Sequence, residues 1–267
     1  MNSVNKTLYI PLYGKAYVSK RGLFLQDPKA EEIWEAEGFP LKGKSASKWL
    51  AFYLGIRAAV FDRWVKEQMK QGEGSGRVED TVVIHLGCGM DSRVLRVGCE
   101  TCKWYDVDFP QVMEERKRYF AESENYTMIG ADVRDGSWLA AIPEGKRAVV
   151  IMEGISMYLK REELQNLIAD LCGHFEEVNL LMDCYSEMAA KMSKYKNPVK
   201  DVGVTEVYGL DEPKVLERED FALVKEHAMT PEDCICELEG MELTMFRKLY
   251  AGNFSKKLYR LFEYEKR

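Results

Sequence analysis

Residues 81–93 read TVVIHLGCGMDSR, a short apolar run that breaks into Gly-Cys-Gly. Thr81 to Leu86 is apolar and β-branched, as a buried strand requires. Gly87 and Gly89 then supply a tight turn with no side chain to hold a ligand away. A strand that ends in such a turn presents a nucleotide-like ligand to the following helix N-terminus. The stretch therefore predicts a ligand-binding α/β fold.

Apolar strands alternate with amphipathic helices from this turn onward. Strands are predicted at 81–86, 102–107, 126–129, 148–153 and 178–184, and helices at 92–98, 110–121 and 161–175. This alternation is typical of a doubly wound, mostly parallel sheet. The chain ends as a strand over 221–228, a helix over 237–250 and a strand over 257–264, and we expect the last strand to be antiparallel.

A helical segment precedes the core. Residues 45–70 carry large apolar side chains at helical spacing, with Ser45 or Ser47 as the N-cap, and a shorter helix is predicted at 28–37. The polar, glycine-rich residues 71–80 follow as a linker.

Two parts are therefore expected. Residues 1–78 form an N-terminal helical segment over the ligand site, and residues 79–267 form the core. Periodicity is lost at about 188–220, and such insertions often form lids, with an ordinary solvated connection as the alternative.

Charge and composition narrow the possible partners. Lys and Arg number 38 against 44 Asp and Glu, and the net charge of −6 argues against nucleic acid. No apolar run approaches the roughly 18 residues of a membrane span, and the N-terminus lacks a signal-peptide core, so we expect no membrane partner and a cytoplasmic protein. The seven cysteines fit free thiols, and the pairs Cys99/Cys102 and Cys234/Cys236 are a weak zinc signal, so no metal is expected.

Acidic residues follow three further predicted strands. They are Asp108, Asp132 and Glu153, and in open α/β sheets the carboxyl ends of strands meet in one crevice. Asp108 lies 19 residues after Gly89, close to the spacing at which an acid accepts both ribose hydroxyl protons. The alternative is that Asp108 caps a helix that begins at Pro110.

The glycine turn alone does not identify the cofactor. Ser92 occupies the third glycine position of a dinucleotide turn, so a smaller ligand than a dinucleotide is favoured. S-adenosylmethionine (AdoMet) has a ribose, an adenine and two cationic groups, which suits acidic strand ends. Asp132 is then a partner for the adenine amino group, and Glu153 for the amino-acid or sulfonium end.

Four sequence motifs occur in order along the chain. They are LGCGMDSR at 86–93, WYDVDFP at 104–110, MIGADVRD at 128–135 and IMEGISMYL at 151–159. This succession resembles the leucine carboxyl methyltransferase family, which includes bacterial polyketide O-methyltransferases of the tetracenomycin type. Residues 9–30 and 53–62 resemble the family's N-terminal segment and its arginine-bearing helix. The resemblance covers about four-fifths of the chain and implies a class I methyltransferase fold with AdoMet as methyl donor and S-adenosylhomocysteine (AdoHcy) as product.

The resemblance also implies site residues. The cofactor contacts fall on Gly87, Asp108, Asp132, Val133 and Glu153. The basic residues that hold the methionine carboxylate fall on Arg57 and on Lys15, with Lys20 as an alternative. A guanidinium on an apolar helix face suits a carboxylate, although pairing of Arg57 with a structural acid such as Asp62 is the alternative.

The acceptor is less defined. The second half is short beside the family's protein-modifying members, which favours a small molecule with a carboxylate or phenolic hydroxyl, while a peptide carboxylate stays open. Candidates for the acceptor side are Tyr158, Tyr185, Tyr208 and His227. Two other functions stay open. One is an NAD(P)-dependent reductase, disfavoured by the missing third glycine and the absence of a Tyr-x-x-x-Lys pair. The other is a non-catalytic AdoMet-binding module. The oligomeric state is not predicted.

Overall fold

A seven-stranded sheet forms the centre of the protein. The computed structural model describes residues 8–74, 81–144, 147–196 and 206–266. Its strands are β1 (Thr81–Leu86), β2 (Lys103–Asp108), β3 (Tyr126–Gly130), β4 (Arg147–Met152), β5 (Glu177–Tyr185), β6 (Phe221–His227) and β7 (Tyr259–Lys266). The spatial order is β3-β2-β1-β4-β5-β7-β6, and β7 runs antiparallel to both of its neighbours. The predicted mostly parallel sheet with an antiparallel last strand is confirmed.

Ten α-helices flank the sheet within the described residues. They are α1 (Tyr9–Lys20), α2 (Pro28–Glu37), α3 (Lys48–Gly74), α4 (Arg93–Val97), α5 (Pro110–Arg116), α6 (Arg161–His174), α7 (Glu187–Lys196), α8 (Glu232–Ile235), α9 (Gly240–Tyr250) and α10 (Asn253–Leu258). Two apolar cores result, one on each face of the sheet. The helices α1, α2, α3 and α9 share one core, and α6 packs in the other.

The strands were predicted to within two residues at each end, whereas several helices differ from the prediction. The helix expected to reach residue 121 ends at Arg116, and the helix expected over 237–250 begins at Gly240 as α9, with the short α8 before the predicted range. The predicted linker at 71–80 is wrong at its start, since α3 continues to Gly74; residues 75–80 lie outside the described part.

The region at 188–220 contains more regular structure than its lost periodicity indicated. Helix α7 occupies its first part, and a short 3-10 turn covers Pro213–Leu216. Residues 197–205 lie outside the described part, so the lid stays a prediction, as does the division at residue 78.

The N-terminal helices pack closely where glycine allows it. A Cβ on Gly55 of α3 would lie 2.7 Å from Val18 of α1, and one on Gly14 would lie 2.9 Å from Leu54. This contact brings Lys15 of α1 and Arg57 of α3 to the carboxyl edge of the sheet. In the described residues no helix is long and apolar enough to cross a membrane. All seven cysteines are free.

Candidate active site

One cavity of about 680 Å³ opens at the carboxyl edge of the parallel strands. Its size falls within the range of about 300–1,000 Å³ that is usual for cofactor and small-molecule sites. The loops after β1, β2, β3 and β4 contribute to its wall, together with α1 and α3. The predicted convergence of these strand ends on one crevice is confirmed.

The glycine turn after β1 lines the cavity. Gly87 and Gly89 have φ angles of 63° and 53°, in the left-handed region that favours glycine. A Cβ on Gly87 would lie 2.6 Å from Ile155, so the position is closed to side chains on steric grounds as well. The Gly87 N–H donates to Val107 O at 2.8 Å, which ties the turn to β2.

Asp108 lies beside this turn at the end of β2. Its Oδ2 accepts from the Gly89 N–H and its Oδ1 from the Phe109 N–H, each at 2.8 Å. Helix α5 has Phe109 at its N-cap position with no side-chain cap, so the alternative of Asp108 as a helix cap is wrong. Burial raises the pKa of Asp108 to about 6, against the lowering effect of the two N–H donors and of Arg116.

The third strand end carries Asp132 and Val133. Both line the cavity. Asp132 is partly exposed and pairs with Arg134, whose Nη2 lies 2.5 Å from Oδ2, and this hydrogen bond lowers the pKa of the carboxyl. Val133 is buried. The pair therefore presents one charged and one apolar side chain to the same part of the cavity.

Glu153 follows β4 and is buried between two guanidinium groups. Its Oε1 lies 3.0 Å from Arg57 Nη2, and its Oε2 is hydrogen-bonded to Arg93 Nη2. Burial would raise the pKa of Glu153, but Arg93 and Arg57 outweigh it and hold the pKa at about 2. Glu153 is therefore ionised at neutral pH.

The two predicted cations also line the cavity. Lys15 Nζ lies 3.2 Å from Asp91 Oδ2. Arg57 contacts Glu153 and Asp183, and the alternative in which it pairs with Asp62 is wrong because Asp62 binds Arg93 and Arg96. Arg57 Nε is buried and has no hydrogen-bond partner among the described residues. The alternative Lys20 lies outside the cavity wall, where its Nζ is 2.5 Å from Glu35.

Three tyrosines also line the cavity. Tyr158, Tyr185 and Tyr208 all contribute to its wall. The Tyr208 hydroxyl donates to Glu206 Oε2 at 2.8 Å, and its backbone N–H donates to Met157 O at the same distance. These three acceptor-side candidates are therefore brought to one cavity.

His227 is separated from this group. It is absent from the cavity wall, and its Nε2 lies 2.6 Å from Glu263 Oε2. The suggestion that it faces the acceptor is wrong, because Glu263, which also accepts from Trp64 Nε1 of α3, holds His227 away from the cavity wall. His85 is buried at the cavity wall, where burial and Arg93 lower its pKa to about 4 and keep it neutral.

Two residues of this edge were missed from the sequence, Asp183 and Tyr259. Asp183 lies inside β5, two residues before its end, so a search for polar residues after each strand passed over it. Tyr259 begins β7, and only the antiparallel direction of that strand brings its first residue to the carboxyl edge. The Tyr259 hydroxyl donates to Asp183 Oδ2 and accepts from Arg57 Nη1, both at 2.6 Å.

Arg116 holds the glycine turn through a hydrogen bond to Gly89 O, and it was not predicted from the sequence. Its side chain is fully buried, and Nη1 donates to Gly89 O at 3.0 Å while Nη2 pairs with Asp106 at 2.5 Å. The Gly89 residue is thus held at its N–H by Asp108 and at its carbonyl by Arg116. No local pattern in the sequence indicates this contact.

These residues suit AdoMet. The left-handed glycines keep side chains out of the turn, Asp108 offers two carboxylate oxygens beside it, and the buried Arg57 Nε is a donor without a partner among the described residues. Carboxylates match the two cationic groups of the ligand, and cations match its carboxylate. Fold and site together define an AdoMet-dependent methyltransferase.

Comparison with known proteins identifies the family. Residues 7–172 match the leucine carboxyl methyltransferase family, and the chain belongs to it. The tetracenomycin polyketide synthesis O-methyltransferase TcmP of Streptomyces glaucescens is 29% identical over 220 residues, which cover 81% of this chain and 79% of TcmP. The S-adenosyl-L-methionine-dependent methyltransferase dpfgK of Gibberella zeae is 26% identical over 188 residues, or 65% of this chain and 61% of dpfgK.

A solved structure supports the fold. The plantazolicin methyltransferase BpumL, in complex with a monoazolic desmethyl analog and SAH, superposes with a TM-score of 0.50 at 9% identity over 98% of both chains. The likeness confirms the class I methyltransferase fold. The protein is an AdoMet-dependent methyltransferase of this family, AdoMet is its cofactor, and the reductase and the non-catalytic module are set aside.

Proposed function

We propose that the protein methylates an oxygen of a small-molecule acceptor, with the cofactor at the glycine turn and the acceptor at the tyrosine-lined part of the cavity. The observation that carries this proposal is that one cavity joins two chemically different sets of side chains. Carboxylates and cations line it together with Gly87 and Gly89, and so do Tyr158, Tyr185 and Tyr208.

Each acidic residue predicted to contact the cofactor has a proposed role in binding it. Asp108 would accept from the ribose hydroxyls, since each of its oxygens uses one N–H and a carboxylate has about four acceptor sites. Asp132 would accept from the adenine amino group beside the apolar wall of Val133. Glu153 would hold the methionine ammonium group.

The cations Arg57 and Lys15 would hold the methionine carboxylate. Both line the cavity, and both are already paired with acids, so they are fixed in position before the ligand arrives. Arg57 Nε supplies a donor that does not have to leave another partner.

The bound cofactor supplies an activated methyl group. The protein must then align the acceptor oxygen and exclude water, and positioning of this kind can provide about 7–11 kcal/mol of the barrier reduction. Apolar side chains of α1 and α3 would shield the acceptor, among them Ile10, Leu50 and Leu54, which all line the cavity.

The proposal is tested by AdoHcy release with two sets of acceptors. One set contains aromatic and aliphatic acids and hydroxyarenes, and the other contains peptides with a free C-terminal carboxylate. We expect release with members of the first set only. Release with peptides and with none of the small molecules would overturn the small-molecule assignment while leaving cofactor binding intact.

A further inference from the structure

The site residues belong to a buried ion-pair network that extends beyond the cavity wall. Contacts of 3.4 Å or less link its members in one continuous chain. The members are four cations and five carboxylates, namely Lys15, Arg57, Arg93, Arg96, Asp27, Asp62, Asp91, Glu153 and Asp183. Their side chains are all 9% exposed or less. The network therefore carries one negative charge in excess when every acid is ionised.

An excess charge in a buried network is costly, because little water is present to solvate it. AdoMet carries one net positive charge, since its ammonium and carboxylate cancel and its sulfonium remains. The bound cofactor would bring the network to neutrality. AdoHcy has no sulfonium, so after methyl transfer the excess negative charge returns unless one acid takes up a proton.

Asp183 is the acid with a connection to the acceptor side. It is fully buried, and its Oδ2 accepts from the hydroxyl of Tyr259, which lines the cavity next to Tyr185 with ring centroids 4.8 Å apart. Its Oδ1 accepts from the Gly154 N–H at 2.8 Å. Arg57 Nη1 donates to the Tyr259 oxygen at 2.6 Å, where it would stabilise negative charge.

The two acids of the network that line the cavity, Glu153 and Asp91, are less suited to this role. Arg93 and Arg57 lower the pKa of Glu153, and Arg93, Arg96 and Lys15 lower that of Asp91, in both cases against the effect of burial. For Asp183 burial dominates and its pKa is raised, although Arg57 and the Tyr259 hydroxyl lower it. The ionisable groups around Asp183 are Tyr53 and Arg57 of α3, Glu153 and Tyr158 after β4, Cys184 of β5 and Tyr259 of β7.

We propose that the acceptor is a neutral hydroxyl, that of a phenol, and that its proton passes through Tyr259 to Asp183. The inference rests on the proposed function and names its substrate class. The acceptor oxygen forms the bond to the methyl carbon, and the carbon–sulfur bond breaks with its electron pair on sulfur. The hydroxyl proton moves to Tyr259 Oη as the Tyr259 proton moves to Asp183 Oδ2.

This sequence keeps the network neutral throughout. Before transfer the sulfonium balances the excess carboxylate, and after transfer the proton on Asp183 balances it. A carboxylate acceptor would bring a second excess negative charge and no proton. The charge balance therefore favours a hydroxyl over a carboxylate at this site.

The test does not require the natural acceptor. AdoMet and AdoHcy are titrated into the protein by calorimetry in buffers of different ionisation enthalpy between pH 6 and 8, which gives the protons taken up with each ligand. We expect AdoHcy to take up more protons than AdoMet, by an amount that approaches about one. Equal uptake with both ligands overturns the proposal, whereas failure of both to bind overturns the proposed function.

Variants locate the proton. Asp183→Asn should remove the difference between the ligands, while Tyr259→Phe and the exposed control Glu162→Gln should keep it, because Asp183 remains. An unchanged difference in folded Asp183→Asn would overturn the assignment. If Asp183→Asn does not fold, the infrared difference spectrum of AdoHcy-bound against AdoMet-bound wild type, with labelled aspartate, decides: a protonated aspartate carboxyl with AdoHcy supports the proposal, and its absence contradicts it.

Discussion

Asp108 provides the sharpest test of the cofactor site, through the change Asp108→Ala. Each of its oxygens accepts one backbone N–H at 2.8 Å, and about two of its four acceptor sites remain for the ribose hydroxyls. Asn is a poorer choice, because its amide group would face one of these N–H donors. Hydrogen bonds to charged groups contribute about 1.5–3 kcal/mol each, and part of the loss is recovered by water.

We therefore expect Asp108→Ala to weaken AdoMet binding by about 1–3 kcal/mol, or roughly 5-fold to 150-fold. Calorimetry with AdoMet measures this, and the thermal midpoint of the ligand-free variant shows that it is folded. The control is Glu162→Gln, an exposed acid of α6 away from the cavity. Unchanged AdoMet affinity in folded Asp108→Ala would remove this residue from the site and refute the ribose assignment.

Because the pKa of Asp108 is about 6, AdoMet affinity should fall up to tenfold for each pH unit below pH 6. This loss of affinity should vanish in Asp108→Ala. An AdoMet affinity that stays constant from pH 7 to 5 would contradict the prediction. The same raised pKa means that the stability Asp108 contributes is largest below about pH 4 and is lost as the pH rises through 6. Glu153→Gln removes a carboxylate that two guanidinium groups share, although Arg57 keeps Asp183 and Arg93 keeps Asp62 as partners. It should therefore cost about 1.5–3 kcal/mol of unfolding free energy by urea denaturation, and a loss below 1 kcal/mol is the contrary result. Since the pKa of Glu153 is lowered to about 2, its stabilisation is present above about pH 4.3 and is lost towards pH 2. Gly87→Ala should impair AdoMet binding more than Gly89→Ala, because the Cβ distances are 2.6 Å to Ile155 and 3.0 Å to Leu8, and the reverse order would contradict the turn geometry.

Much of this site could be predicted because polar residues that follow apolar strands can be found from the local sequence pattern alone. Apolar runs mark buried strands, and a polar residue after each run falls at the carboxyl edge whatever the details of packing. Asp108, Asp132 and Glu153 were all found in this way. At the fifth strand the same search gives Tyr185, whereas Asp183 lies within β5 and is missed.

Helices α1 and α7 could not be predicted in the same way. Helix α1 contains Pro11 and Gly14, which both weaken a helical pattern. Its first turn tolerates Pro11, and Gly14 is required by the close approach of Leu54, a contact between segments 40 residues apart. Tertiary packing therefore decides its structure, as it does for the contact of Arg116 with Gly89 O.

Tyr259 shows a second limit of the sequence. A tyrosine at the start of a strand has no special meaning until the direction of that strand is known. Because β7 runs against its neighbours, this residue reaches Asp183 and Arg57 at the edge where the other strands end. The excess charge of the network likewise appears only when nine distant residues are brought together.

The central claim is that this cavity binds AdoMet for methyl transfer. Calorimetric titration with AdoMet, AdoHcy and NADPH side by side tests it most directly. We predict binding of the two adenosyl ligands with 1:1 stoichiometry and none of NADPH. Binding of NADPH alone, or of none of the three to folded protein, would contradict the account.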